Sequence, residues 1–265
     1  MQLALSVVNA FAEGPFTGNP AAVVITRDPL DDGLMQAIAA QNNLAETAFV
    51  VTGKTPMTLR WFTPTTEVDL CGHATLASAQ VLFSQQPQLE RVEFDSASGM
   101  LSVERCGKRL QLDFPARPAQ PVTAPDTRAI AAALGCAEDD IVAVAAAKVL
   151  LVQLRGEDCV ARLAPDFRAL KTLHSFAVMV TAEGEQVDFV ARFFAPNAGI
   201  DEDPVTGSAY TTLAPYWRSR LGRNPLTARQ LSARGGWLEC ECRGERVLIC
   251  GHAEAYLEGS IHLQP

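Results

Sequence analysis

The residues Phe193-Phe194-Ala195-Pro196-Asn197-Ala198-Gly199-Ile200-Asp201-Glu202-Asp203-Pro204-Val205-Thr206-Gly207-Ser208-Ala209 read as a strand, a polar loop and the start of a helix. The first helical turn is expected at residues 205–209, with Pro204 at the boundary, because a fixed φ and a missing N–H suit the first helical position. Asp201, Glu202 and Asp203 stand just ahead of that turn, where free N–H groups and the positive end of the helix dipole stabilise negative charge. Alone, the stretch is equally an acidic loop before an ordinary capped helix. A second copy separates these readings. Phe62-Thr63-Pro64 runs on to Cys71-Gly72-His73-Ala74 much as Phe194-Ala195-Pro196 runs on to Thr206-Gly207-Ser208-Ala209. Each copy is a strand ending in Phe-x-Pro, an acidic loop, a glycine at a tight helix entry followed by a polar residue, and a small-residue helix.

The repeat predicts two similar halves, each a sheet curled around one central helix, with both helix N-termini facing a cleft. The first of these helices follows Cys71. Residues 75–83 are rich in small and apolar residues on every side, which is the composition of a helix buried all round. Strands at residues 91–95, 99–106 and 109–114 alternate in polarity and would wrap it. Upstream, strands are expected at residues 3–9, 21–25, 44–51 and 57–62, with an Asp-capped helix from Asp31-Asp32 to Asn42-Asn43. Four prolines make residues 115–125 a linker, since neither helix nor strand continues through them. The expected halves are 1–116, completed by a C-terminal strand at about 254–265, and 117–253. In the second half, a helix at 126–134 ends at Gly135 and a short one spans 163–170. Strands are expected near 141–144, 149–154, 176–181, 187–194, 227–233, 237–243, 246–250 and 252–263, with the second central helix at 209–221.

The chain has 265 residues, a formal charge of −8 and an isoelectric point near 5.1. That charge argues against nucleic acid or an anionic membrane as the main partner, because both need clustered Lys and Arg. No apolar run approaches the length of a membrane span. Seven cysteines without framework spacing, and no basic and apolar leader, predict a reduced cytoplasmic protein. Cys240, Cys242, Cys250 and His252 raise a zinc reading, but Cys-x-Cys departs from the usual spacing, and a strand would put Cys240 and Cys242 on one face as small apolar fillers. No metal is expected.

Opposed helix N-termini would trap an anionic group such as a carboxylate. Gly72 and Gly207 would let backbone approach it, and His73 and Ser208 would add donors; a plain cap histidine bonded to backbone is the other reading of His73. Glu46 interrupts an apolar strand. Its neighbours Leu44, Ala45, Ala48 and Phe49 would desolvate the carboxylate, an environment suited to a proton carrier; the other reading is an edge-strand carboxylate facing water.

Gly18-Asn19-Pro20-Ala21-Ala22-Val23, Glu46-Thr47-Ala48-Phe49, residues 67–75 and Asp203-Pro204-Val205-Thr206-Gly207-Ser208-Ala209 together resemble the phenazine-biosynthesis PhzF-like family over the whole chain. The resemblance implies an α+β fold like that of diaminopimelate epimerase, in which two pseudo-symmetric halves each wrap an antiparallel barrel-like sheet around a central helix. It also implies an isomerase without cofactor or metal, often a homodimer. The family's best understood member isomerises dihydro-hydroxyanthranilic acid by moving a proton along a conjugated system. Carried over by motif, Glu46 is the acid/base, with His73, Asp203 and Ser208 around the substrate, and Asn19, Gly72 and Gly207 assigned to substrate binding. Tyr210 departs from the His of many relatives. The two-cysteine mechanism of related epimerases is lost, because Cys71 occupies one thiol position and Thr206 the other. Cys71 is then a buried small residue, although a helix N-terminus would lower its thiol pKa. The leading expectation is an isomerase or tautomerase acting on a small carboxylate-bearing unsaturated or cyclic metabolite. A cofactor-independent epimerase or racemase, and a catalytically silent small-anion binder, are the alternatives.

Overall fold

In the computed structural model, which describes residues 1–263, the chain opens with the hairpin of β1 (Gln2–Ala10) and β2 (Asn19–Thr26). Helix α1 (Asp32–Asn42) is capped by Asp31, whose carboxylate accepts the Leu34 N–H, and it ends where Asn43 takes the left-handed conformation. It carries the chain back so that β3 (Glu46–Val51) lies parallel to β2, as a helical crossover allows. β4 (Met57–Phe62) pairs with β3, and the short β5 (Glu67–Val68) pairs with β4. Helix α2 (Gly72–Gln85) follows, and then the meander β6 (Arg91–Ser96), β7 (Gly99–Cys106) and β8 (Arg109–Pro115).

Beyond the prolines come β9 (Gln120–Pro121), α3 (Thr127–Leu134), β10 (Ile141–Ala146), β11 (Leu150–Leu154), α4 (Glu157–Ala161), α5 (Phe167–Lys171), β12 (Val178–Glu183) and β13 (Phe189–Ala195). They are followed by β14 (Ile200–Asp203), α6 (Tyr210–Leu221), β15 (Leu226–Gln230) and β16 (Gly236–Arg243), and the chain returns through β17 (Arg246–Gly251) and β18 (Ala253–His262). Two compact units result: Met1–Phe114 together with the segment from Leu248 onward, and Pro115–Val247. The first unit contains β18, which lies antiparallel to β1. Positions 264–265 of the expected C-terminal strand lie outside the described residues.

The fold is α+β, and the two units repeat one ladder pattern. In the first, β2 runs parallel to β3, β3 antiparallel to β4, β4 antiparallel to β5 and parallel to β6, and β6 antiparallel to β7. In the second, β11, β12, β13, β14, β15 and β16 take those same relations in turn. The Phe-x-Pro motifs fall at the ends of β4 and β13, the corresponding strands. The expected antiparallel sheets therefore contain parallel pairs, because the helical connections α1, α2, α4 with α5, and α6 are crossovers rather than hairpins.

Helix α2 is buried from Gly72 to Phe83 except at Gln80 and packs on β1, β2 and β3. Its interior hydroxyls cost little to bury, since Thr75 Oγ1 donates to the Cys71 carbonyl and Ser78 Oγ to the Ala74 carbonyl. Among the described residues, no helix is long and apolar enough to cross a membrane.

Several expected boundaries need correction. Residues 205–209 are not the first turn of an α-helix: a 3-10 turn covers Gly207–Ala209 and α6 starts at Tyr210, so Pro204 lies outside the helix. The three carboxylates do not crowd its N-terminus. They lie on β14, where Asp201 is exposed, Glu202 pairs with Arg192 and Asp203 is buried. Their separate partners and burial along β14, not a helix dipole, sort them. The short helix begins at Phe167 instead of 163, because Asp166 caps it through the N–H groups of Arg168 and Ala169. The linker carries β9, which pairs with β10, and α4 was not expected.

Candidate functional site

In the first unit, three elements bring Asn19, Glu46, Cys71 and His73 together. Gly18 has φ +75°, and a Cβ there would stand 2.5 Å from the Ala10 carbonyl oxygen, so glycine sets the entry into β2 and the position of Asn19. Asn19 is fully buried, and its amide lies 3.1 Å from Nδ1 of His73. Glu46 opens β3 opposite Ala21 and is flanked by β2 and β4, so it is neither on an edge strand nor facing water; its side chain is 13% exposed. Oε2 of Glu46 is 3.1 Å from Nε2 of His73, within ion-pair range but outside hydrogen-bond geometry. Cys71 is the N-cap of α2 without a capping bond, and its Sγ lies 3.5 Å from Nδ1 and 4.0 Å from Nε2 of His73. Side chains thus surround the His73 ring, and the backbone-capping reading does not hold.

The electrostatics of this cluster correct one expectation. Burial, followed by the Glu46 carboxylate, pushes the Cys71 thiol from 9.0 up to about 11, against the pull of His73 and the helix end. The thiol is therefore protonated at neutral pH. Burial pushes the His73 imidazole down, but Cys71 and Glu46 together carry it well above its usual value. With the thiol protonated, the Glu46 carboxylate is the charge that sustains the upward direction. A doubly protonated His73 needs an acceptor at Nδ1, which the Asn19 amide supplies through its oxygen; a neutral ring accepts the amide N–H there instead.

Both shifts make the fold sensitive to alkali. A thiol whose pKa is raised on folding loses stability as the pH climbs from the unfolded to the folded value, here from about 9 to about 11. A raised imidazole stabilises fully below its unfolded value, near 6.5, and loses that stabilisation as the pH rises through the folded value. The rise of the thiol from 9.0 to about 11 corresponds to about 2–3 kcal/mol. Urea unfolding between these pH limits is expected to show a decline of this size that flattens in Cys71→Ala. An equal decline in the variant would refute the assignment.

In the second unit, Asp203, Thr206 and Gln230 form a separate buried cluster. Thr206 Oγ1 donates to Asp203 Oδ2 at 2.5 Å. The Gln230 amide binds both sides of this segment: Nε2 donates to the Asp203 carbonyl at 2.7 Å, while Oε1 accepts the Thr206 N–H at 2.9 Å. Tyr210 OH reaches the same oxygen at 3.5 Å, and burial of that phenol pushes its pKa well up. Gly207 is buried and Ser208 half-buried in the adjoining 3-10 turn.

Gln230 was not anticipated, although a signal existed. It occupies an inward position of β15, whose other inward residues, Leu226 and Ala228, are apolar. Gln230→Leu leaves the Asp203 carbonyl and the Thr206 N–H without this partner. At about 1–3 kcal/mol for each of the two buried groups, a loss of about 2–6 kcal/mol is expected in urea unfolding. A change below about 0.5 kcal/mol would contradict the bridging role.

The thiols of Cys240 and Cys242 alternate on β16 and are buried, as fillers on one face would be. The two groups of candidate residues lie in different units, Asn19, Glu46, Gly72 and His73 in the first and Asp203, Gly207 and Ser208 in the second.

Residues 8–259 match the family model for phenazine biosynthesis-like proteins. The chain is 51% identical over 264 residues to a Pseudomonas aeruginosa protein named as an uncharacterised isomerase, covering 99% of this chain and 100% of that one. A crystal structure of a PhzF-family phenazine biosynthesis protein from Enterococcus faecalis superposes with a TM-score of 0.94 at 44% identity, covering 99% of this chain and 100% of that one. A hydroxyproline epimerase from Agrobacterium vitis, at 9% identity and a TM-score of 0.64 over 98% of this chain and 92% of that one, shares the fold alone.

Proposed function

Because the chain belongs to the phenazine biosynthesis-like family, we propose that it is an isomerase that shifts a proton on a small carboxylate-bearing unsaturated or cyclic metabolite. Glu46 is the general acid/base in this reading. The observation that carries it is a carboxylate mostly withdrawn from water, with Oε2 lacking a hydrogen-bond donor and a buried imidazole 3.1 Å away. A carboxylate so placed can take a proton from one carbon and return it to another, while the imidazolium answers the charge that develops. Asn19 sets the ring of His73 by holding Nδ1. Asp203, fixed by Thr206 and Gln230, with Gly207 and Ser208 beside it, is proposed as a further substrate-facing group of the second unit. No cofactor enters this chemistry.

Support for a proton shift over a two-thiol epimerisation comes from the residues at the two thiol positions. Cys71 is a protonated thiol at neutral pH, and the Thr206 hydroxyl is engaged with Asp203. The proposal also takes the working form as a homodimer, which light scattering coupled to size exclusion would test. The central experiment incubates the protein in deuterium oxide with a panel of cyclic and unsaturated carboxylic acids and follows deuterium uptake by mass spectrometry. Uptake with migration of a double bond is expected. Inversion of a stereocentre without migration would favour an epimerase, and tight binding without exchange would favour an anion-binding protein.

A further inference from the structure

Trp61 is fully buried on β4, yet among the described residues nothing accepts a hydrogen bond from its indole Nε1–H. A buried donor left dry costs more than a made bond returns, so it calls for an acceptor from outside the chain. Its neighbours fix where that acceptor sits. Trp61 lies opposite Ala48 in the β3–β4 ladder, and directly opposed residues share a face of the sheet. Glu46, two positions before Ala48 and in unbroken register with β2, projects from that same face. It is the face turned to α2, where His73 meets Glu46. Diagonal neighbours of this kind stand about 7–8 Å apart, within reach of an aromatic and a long side chain. On its other side Trp61 lies opposite Val68 of β5, from which the chain runs on to Cys71 and His73. The indole is therefore flanked by both segments that build the site.

Glu46 holds the complementary atom. Its Oε2 is buried, and among the described residues no group donates a hydrogen bond to it. One unmet donor and one unmet acceptor on adjoining positions of one face match a group that accepts and donates at once. A hydroxyl does both, since its oxygen takes the indole N–H and its proton goes to Glu46. A carboxylate oxygen suits the indole but is repelled by Glu46, and an ammonium suits Glu46 but offers the indole no acceptor.

We propose that Trp61 and Glu46 form a hydroxyl-binding position beside the His73 ring, taken by a water molecule or by a hydroxyl of the bound metabolite. Either source makes the same two bonds. No covalent bond changes, and a carboxylate that accepts a hydroxyl on one oxygen keeps the other for proton transfer. The metabolite hydroxyl rests on the function proposed above, whereas the position itself does not. With that source Trp61 determines specificity, because a buried N–H left without its acceptor disfavours the deoxy counterpart of a hydroxylated ring acid.

The test uses the whole chain, labelled with nitrogen-15. Its three tryptophans give three indole N–H signals, and the one missing from Trp61→Phe is that of Trp61. If that variant does not fold, Trp217→Phe and Trp237→Phe identify the signal by elimination. The ortho, meta and para hydroxybenzoates serve as hydroxylated probes and benzoate as the deoxy control. A resident water is expected to give a nuclear Overhauser contact between the Trp61 indole proton and water in the free protein. A metabolite hydroxyl is expected to shift the signal with at least one hydroxybenzoate and not with benzoate. Trp61→Phe then binds that acid about 3–10-fold more weakly, while its affinity for benzoate stays within about twofold. With either source, Glu46→Gln moves the Trp61 signal. A Trp61 signal that meets neither water nor a hydroxybenzoate, or one that Glu46→Gln leaves in place, overturns the proposal. So does equal weakening toward both acids in Trp61→Phe without a water contact in the free protein, which marks a merely structural indole. None of these readouts uses turnover, so they hold if Glu46 loses its proposed proton-transfer role, and their failure leaves that role standing.

Discussion

Glu46→Gln is expected to lower solvent-proton exchange into substrate by about 10²–10⁴-fold, the range that one positioned acid/base contributes. Glutamine preserves the length and planarity of the side chain at the start of β3 and removes the capacity to hold a mobile proton. The apolar neighbours Ala48 and Phe49 stay in place, and binding of a carboxylate ligand should change little. The variant also takes away the charge that holds the His73 imidazole up, so the titration of that ring, followed by nitrogen-15 NMR, should move downward. The two readouts separate roles. Loss of exchange together with a lowered His73 titration supports Glu46 as both proton carrier and ion-pair partner. Exchange within about threefold of wild type would eliminate the catalytic assignment, whatever His73 does.

Trp217→Ala is expected to destabilise the second unit by about 3–5 kcal/mol, the usual range for removing a buried large aromatic side chain. Trp217 is 2% exposed on α6 and stacks on Phe189 with ring centroids 5.9 Å apart. Its Nε1–H donates to Thr181 Oγ1 at 2.8 Å, and the Thr181 hydroxyl in turn donates to the Val190 carbonyl. The indole therefore ties the central helix to β12 and lies against β13 at Phe189. Alanine leaves a void and removes that donor, while Trp217→Phe loses the hydrogen bond but retains part of the packing, so it should cost less. Urea unfolding of both variants measures the difference. A loss below about 1 kcal/mol for Trp217→Ala would mean that the helix is held elsewhere.

The fold was legible where the sequence carried period and composition. The small and apolar character of residues 75–83 announced a buried helix, and strands 57–62 and 99–106 have the observed bounds. Alternating polarity with short polar turns is a local signal, and these strands need nothing distant to define them. The repeat was legible through Phe-x-Pro and the glycine entries, which mark corresponding strand ends and helix starts in the two units. The helix start at 205 was misread because Pro204 and three acidic residues mimic an N-terminal signature. What fixes that segment is the Gln230 side chain, 24 residues beyond Thr206 and invisible to any local rule. Likewise, the individual motifs named Asn19, Glu46 and His73, but not that Asn19 and Glu46 address opposite nitrogens of one ring. Cys71 is buried as expected, but the direction of its thiol pKa was not legible, for a related reason. Its position at a helix end is readable in sequence, whereas the burial and the neighbouring carboxylate that outweigh the helix are tertiary.

β1 pairs on one side with β2, which follows at once, and on the other with β18, which begins at Ala253. A ribosome adding about 5–20 residues per second makes β1 and then works for roughly 12–50 s before the second partner exists. For that interval one edge of β1 is a row of unsatisfied backbone donors and acceptors, the kind of template on which chains join each other. The second unit, one continuous segment from Pro115 to Val247, is synthesised within that interval. Growing chains crowded on one messenger therefore carry an open edge at β1 for that time, and a chaperone that shields an open strand edge would act there.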